Sequence, residues 1–132
     1  MSPIFLLAIV VFVSAIFFGI LISRRQKKIS ASEESFVRNQ WRMIGLGKNL
    51  KNDILEADKL LDFVLEKYGY SGSLGEKLKK ARQLFTDKNG VWVAHKMRNK
   101  LAHEINFQPS EFEFRAALES FRKALLDLKI KL

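Results

Sequence analysis

Apolar positions along this chain change character from one end to the other, and each pattern predicts its own kind of element. From Ile4 to Ile22 the run IFLLAIVVFVSAIFFGILI carries no charge and is interrupted only by Ser14 and Gly19. It is long enough to cross the hydrocarbon core of a bilayer as a single helix, with Ile4, Leu6, Ile9, Phe12, Ile16 and Ile22 among the residues set in lipid. Residues Ser30 to Ser35 (SASEES) are polar and predict a short joint. Beyond them the apolar residues return at helical spacing and keep it to the end, with hardly any strand pattern.

The first of these stripes, Val37, Trp41 and Ile44, predicts a helix from near Ser32 to Gly45 or Gly47. The clearest stripe follows: Leu50, Ile54, Ala57, Leu61, Val64 and Tyr68, with Gly69 as its natural stop. Ser73 and Glu76 have capping-box spacing and open a third, through Leu74, Leu78, Ala81 and Phe85. Asn89-Gly90 predicts a turn, and a fourth helix then runs from about Val91 to Glu104. Pro109 and a second capping box, Ser110 with Glu113, begin the last, whose stripe is Phe114, Leu118, Phe121, Leu125 and Leu128. The expected fold is all-α. A transmembrane anchor occupies residues 1–23, a basic juxtamembrane linker 24–35, and a four- to five-helix antiparallel bundle 36–132. A core of that size is marginal by itself, so a homodimer is expected.

Composition narrows the chemistry. The 132 residues contain no cysteine and two histidines, which excludes disulfides, thiolate metal sites and cysteine nucleophiles and leaves too few imidazoles for a histidine cage. Neither a metal nor a cofactor is expected. The formal charge of +9 points to anionic partners, lipid headgroups or nucleic acid. Part of that excess is Arg24, Arg25, Lys27 and Lys28, immediately after the apolar run. Basic flanks stay on the cytoplasmic side, so a single span with the N-terminus outside and the helical domain in the cytoplasm is expected. A cleaved signal peptide is the competing reading, but the preceding Met-Ser-Pro has no basic residue and no A-x-A-like site closes the run.

The fourth helix holds the candidate chemistry. On a helical wheel Val93, Ala94, Met97 and Leu101 gather on one side as the expected core face. His95, Asn99 and His103 follow one another at i, i+4, i+8 on the other, with Trp92 above them and Arg98 beside them. Imidazoles move protons near neutral pH and a guanidinium holds phosphate oxygens in a planar fork. Asp58, at the edge of the Ile54 to Leu61 stripe, is the expected ion-pair partner of Arg98.

Arg98-Asn99-Lys100-Leu101-Ala102-His103 reads R-x-x-x-x-H with a polar residue after the arginine. The pattern resembles the signature of the HEPN superfamily (higher eukaryotes and prokaryotes nucleotide-binding), whose members are small helical bundles. The resemblance covers residues 33–132 as architecture and 98–103 as motif. It implies RNA or nucleotide binding and, in the family's active members, metal-independent endoribonuclease chemistry at a site shared by two subunits. Carried over, His103 becomes the general acid or base, Arg98 the phosphate clamp and Asn99 an orienting group. Beside the motif's defined positions, His95 is a candidate second proton carrier and, with Lys96 and Lys100, a candidate phosphate or RNA contact. On an ideal helix Arg98 and His103 stand about 140° apart, so pairing across a dimer or fraying near His103 is needed to bring them to one phosphate.

Plainer readings stand beside these. Trp92 is the type of residue that packs at a bundle edge, and Lys77, Lys79, Lys80 and Arg82 the type of run that lines a solvated face. The alternative function is a non-enzymatic, membrane-tethered helical module that recruits a partner protein. A small-molecule enzyme finds no glycine-rich phosphate loop, Ser-His-Asp set or acidic metal cluster to support it.

Overall fold

The computed structural model describes residues 2–23, 28–46 and 49–132; Arg24, Arg25 and Lys27 of the basic cluster lie outside them. Among the described residues the chain is all-helical. The first helix, α1 (Pro3–Ser23), has 21 residues and its apolar window, Pro3–Ile20, is not buried against any other part of the chain. Ile4, Leu6, Ile9, Phe12 and Ile16 all stand open, and Ile22 lies within the same helix. Such a helix is long and apolar enough to cross a membrane.

Five further helices form the rest: α2 (Ala31–Met43), α3 (Leu50–Lys67), α4 (Leu74–Lys80), α5 (Lys88–His103) and α6 (Glu111–Asp127), with a 3-10 turn at Arg82–Leu84. Reciprocal capping boxes start three of them, Ser30 with Glu33, Ser73 with Glu76 and Ser110 with Glu113. The first of these corrects the expected joint. Ser30 caps α2, so the acidic Glu33 and Glu34 sit in the first turn of a helix, where they favourably oppose its dipole.

The Asn89-Gly90 turn is likewise replaced. Both residues belong to the first turn of α5, and Asp87 is the N-cap, its carboxylate accepting from the Gly90 N–H at 2.9 Å. A Cβ on Gly90 would lie 2.1 Å from Asp87 Oδ2, so the glycine leaves the room the cap occupies. At Gly69, by contrast, the need is conformational: φ is +95°, and the Gly69 and Tyr70 N–H groups close the end of α3 onto the Glu66 and Leu65 carbonyls.

Polar pairings give the helix directions. The Tyr68 hydroxyl, just past the end of α3, donates to the Leu128 carbonyl just past the end of α6, so these two helices finish at the same end of the bundle. Thr86, just before α5, donates from its N–H to Asp127 at the end of α6, so α5 runs back against both. At that end α2 is held by Lys67 to Glu33 at 3.2 Å and by Arg38 Nε donating to the Lys131 carbonyl. The core between α3, α5 and α6 is built on Ile54, Leu61, Leu65, Phe121, Leu125 and Ile130, all buried. Val37 brings α2 onto it and Leu74, Leu78 and Phe85 bring the α4 segment. Phe114 and Leu118 of the last expected stripe are only half-buried, and Ala117 and Ala124 take their place against the neighbours.

Candidate functional site

The face of α5 that enters the protein is not the one the wheel suggested. Ala94, Met97 and Leu101 are buried as expected, but Val93 is 57% exposed while Val91 and His95 are buried. The buried arc is rotated by about 60° toward His95. The reason is that α5 contacts α3, α4 and α6 at once, so the covered arc reaches past Ala94 to His95 and takes polar groups with it.

Those groups are satisfied by one another. His95 Nδ1 donates to Asp58 Oδ1 at 2.9 Å, and the Asn99 amide nitrogen donates to His95 Nε2 over 3.4 Å. Asn99 Oδ1 accepts from Arg98 Nη1 at 3.1 Å. Arg98 Nε lies 3.3 Å from Asp58 Oδ2, an ion pair whose angle falls short of a hydrogen bond. The four side chains therefore close a ring, with Asp58 from α3 facing three residues of one α5 face. The expected Asp58–Arg98 pair is present. With the Asp58 carboxylate fixing Nδ1–H, the imidazole is held in one tautomer and orientation.

This ring forms one wall of a groove of about 500 Å³ between α3, the start of α4 and α5. Trp92 stands at its side, its ring centroid 5.9 Å from that of His95. Gly75 forms part of the opposite wall, and a Cβ built there would lie 3.7 Å from His95 Nε2. Both carboxylates on the groove are already answered: Asp58 within the ring, and Asp62 by Lys77 at 2.8 Å. Lys77 is thus a correction to the solvated-face reading, being buried and tying α4 to α3, whereas Lys79, Lys80 and Arg82 are exposed. Arg98 Nε makes no hydrogen bond, and the side chain keeps 29% exposure on the groove. Chemically the groove offers a fixed guanidinium, an oriented imidazole and an amide beside an indole, a set suited to oxygens of a phosphate ester.

The remaining candidates lie elsewhere. His103 is exposed at the last turn of α5 and does not line the groove, so one chain does not bring it to Arg98. Lys96 is exposed, and Lys100 is exposed with its Nζ 5.3 Å from the Phe107 ring centroid. Among the described residues no cluster of three His, Asp or Glu side chains is arranged to hold a metal ion. The burial of His95 went unread in the sequence because it depends on a carboxylate supplied by α3. The signal for it was the placement of Asp58 beside a core stripe, already read as a partner for Arg98 alone. No protein-family model, no curated protein and no solved structure matches the chain.

Proposed function

We propose that this chain is a membrane-tethered, HEPN-like helical domain that binds RNA or a nucleotide through a phosphate held in the groove by Arg98 and Asn99. One observation carries the reading: a guanidinium whose side chain keeps 29% exposure is fixed on an open groove whose carboxylates are already paired. A cation so placed keeps part of its surface open to a ligand, and its planar fork matches phosphate oxygens. The anchor is α1, with the domain on the cytoplasmic side because Arg24, Arg25, Lys27 and Lys28 follow the span. The same cations attract anionic headgroups by about 1 kcal/mol each.

The test uses the full chain in nanodiscs of uncharged phosphatidylcholine, with fluorescent uridine monophosphate as the probe. Arg98→Lys keeps the charge and removes the fork, and Gly75→Leu fills the groove from its opposite wall, its Cβ in van der Waals contact with the His95 ring. Both variants are expected to weaken binding about tenfold or more, the loss typical of a bidentate contact. Unchanged binding by folded variants would show that the groove is not the site.

A second reading, metal-independent cleavage of RNA, is favoured by the orientation of His95. Its Asp58-bound Nδ1 makes Nε2 the ring nitrogen that could take a proton, once the Asn99 amide that donates to it over 3.4 Å turns to the phosphate. Cleavage that survives EDTA and is lost in His95→Gln but not in His103→Ala supports a groove-centred reaction. Loss in His103→Ala instead assigns the step to the motif histidine of a second copy. Equal cleavage by all forms indicates contamination and removes the nuclease reading, leaving a binding module.

A further inference from the structure

We propose that the pocket on the other side of Trp92 is a second phosphate subsite, so that the two depressions together take an extended polyanion, a single RNA strand of several nucleotides. This rests on the reading that the groove itself takes a phosphate.

The pocket measures about 230 Å³ and lies between α4, the 3-10 turn and the first turns of α5. Lys79, Arg82 and Lys88 stand on it, all exposed, and none makes an ion pair among the described residues. No carboxylate lines it. Neighbouring Asp87 is engaged by the Gly90 N–H, and Asp127 by Thr86. Cations gathered without acidic partners repel one another, and a bound polyanion relieves that repulsion. Beneath the charges the surface is apolar: Phe85 and Val91 are buried and Trp92 is half-buried, with Lys79 Nζ 5.8 Å from the indole centroid. A flat base on an apolar floor and phosphates on the surrounding cations is the way non-specific single strands are held.

What links the subsites is Trp92, which borders both the pocket and the groove. A free nucleotide occupies one depression and leaves the other charges unanswered. A strand passing over the indole meets Arg98 on one side and the three cations on the other.

The experiment uses the full chain in phosphatidylcholine nanodiscs with two probes, a fluorescent oligouridylate of about eight nucleotides and fluorescent uridine monophosphate. The K79Q/R82Q/K88Q variant is expected to bind the oligomer about tenfold or more weakly and to lower the slope of log affinity against log salt by about two, at roughly 0.7 per phosphate contact. Its affinity for the monophosphate should stay that of the wild type. K51Q/K123Q, which removes exposed charge outside both depressions, should leave oligomer binding unchanged. The subsite is overturned if the wild type binds the oligomer no more tightly than the monophosphate, if the triple variant binds it like the wild type, or if K51Q/K123Q loses as much. Failure of the wild type to bind either probe refutes the groove reading, and this inference with it.

Discussion

The middle and the last turn of α5 each carry a histidine, in opposite circumstances. In the middle His95, Arg98 and Asn99 press against α3 and close a ring through Asp58. A turn beyond the ring, His103 projects from the last residue of the helix into solvent. Residue type and spacing treat the two histidines alike; what separates them is the carboxylate that α3 delivers to one and not to the other. Orientation follows from that partner. A solvent-facing imidazole samples many rotamers, whereas His95 is held by bonds on both nitrogens, and preorganisation of this sort is what a binding or proton-transfer group requires.

The largest effect that can break the comparison comes from removing the shared carboxylate. Asp58→Ala leaves a buried imidazole N–H without its acceptor and a largely covered guanidinium without its counter-charge, and truncating one partner of a buried pair destabilises by about 3 kcal/mol. His103→Ala should stay within about 0.5 kcal/mol of the wild type, as exposed positions do. Urea unfolding of the full chain in detergent, followed by tryptophan fluorescence, measures both. A double-mutant cycle of Asp58→Asn and Arg98→Lys should show non-additivity of about 1 kcal/mol. Additive losses would mean that the ion pair at 3.3 Å contributes nothing and that the ring is held by the His95 bond alone.

Next in size is a pair of substitutions that tests the rotation of α5. Val91 is 3% exposed and Val93 57% exposed, although the wheel assigned Val93 to the core. Val91→Ala should cost about 2 kcal/mol through lost burial and the cavity left behind. Val93→Ala should be close to neutral by the same unfolding measurement. Equal costs would return Val93 to a buried face and, with it, turn His95 outward beside His103.

That rotation also marks where the sequence stops being informative. Elements whose burial is set by their own stripe were legible: α3, with Ile54, Ala57, Leu61 and Val64 buried at helical spacing, and the capping boxes at Ser73 and Ser110. The apolar α1 was legible for the same reason, since composition alone decides it. Elements covered from several sides were not. The α5 face depends on α3, α4 and α6 together, and Lys77 is buried only because Asp62 and Glu66 of α3 meet it at 2.8 and 3.8 Å. Local signals also compete: Asn89-Gly90 is a strong turn dipeptide, yet Asp87 two residues earlier captures it as the first turn of a helix. Within the site, the Asp58–Arg98 pair was readable from stripe-edge placement, and the closure of the ring through His95 and Asn99 was not.

The smallest effect tests by acid the exposed stretch that follows the last turn of α5. Past His103 the chain reaches the α6 cap, where the Ser110 N–H donates to Glu113 Oε2 at 2.7 Å and holds that carboxyl below the ordinary glutamate range, with the Ser110 hydroxyl helping. A carboxyl lowered on folding binds protons less readily in the native state than in the unfolded one. Its contribution is therefore complete above the ordinary glutamate pKa and is lost as pH falls through the lower, folded value. Glu113→Gln keeps an acceptor for Ser110 and removes the charge. The melting temperature of the wild type should exceed that of the variant at pH 7, and the gap should close as pH falls below the ordinary glutamate range. Glu33, lowered first by the Ser30 N–H and then by Lys67, should behave in the same way at the start of α2. A gap that stays constant down to pH 3 would show that the cap acts through hydrogen-bond geometry alone, with no share from the ionised carboxylate.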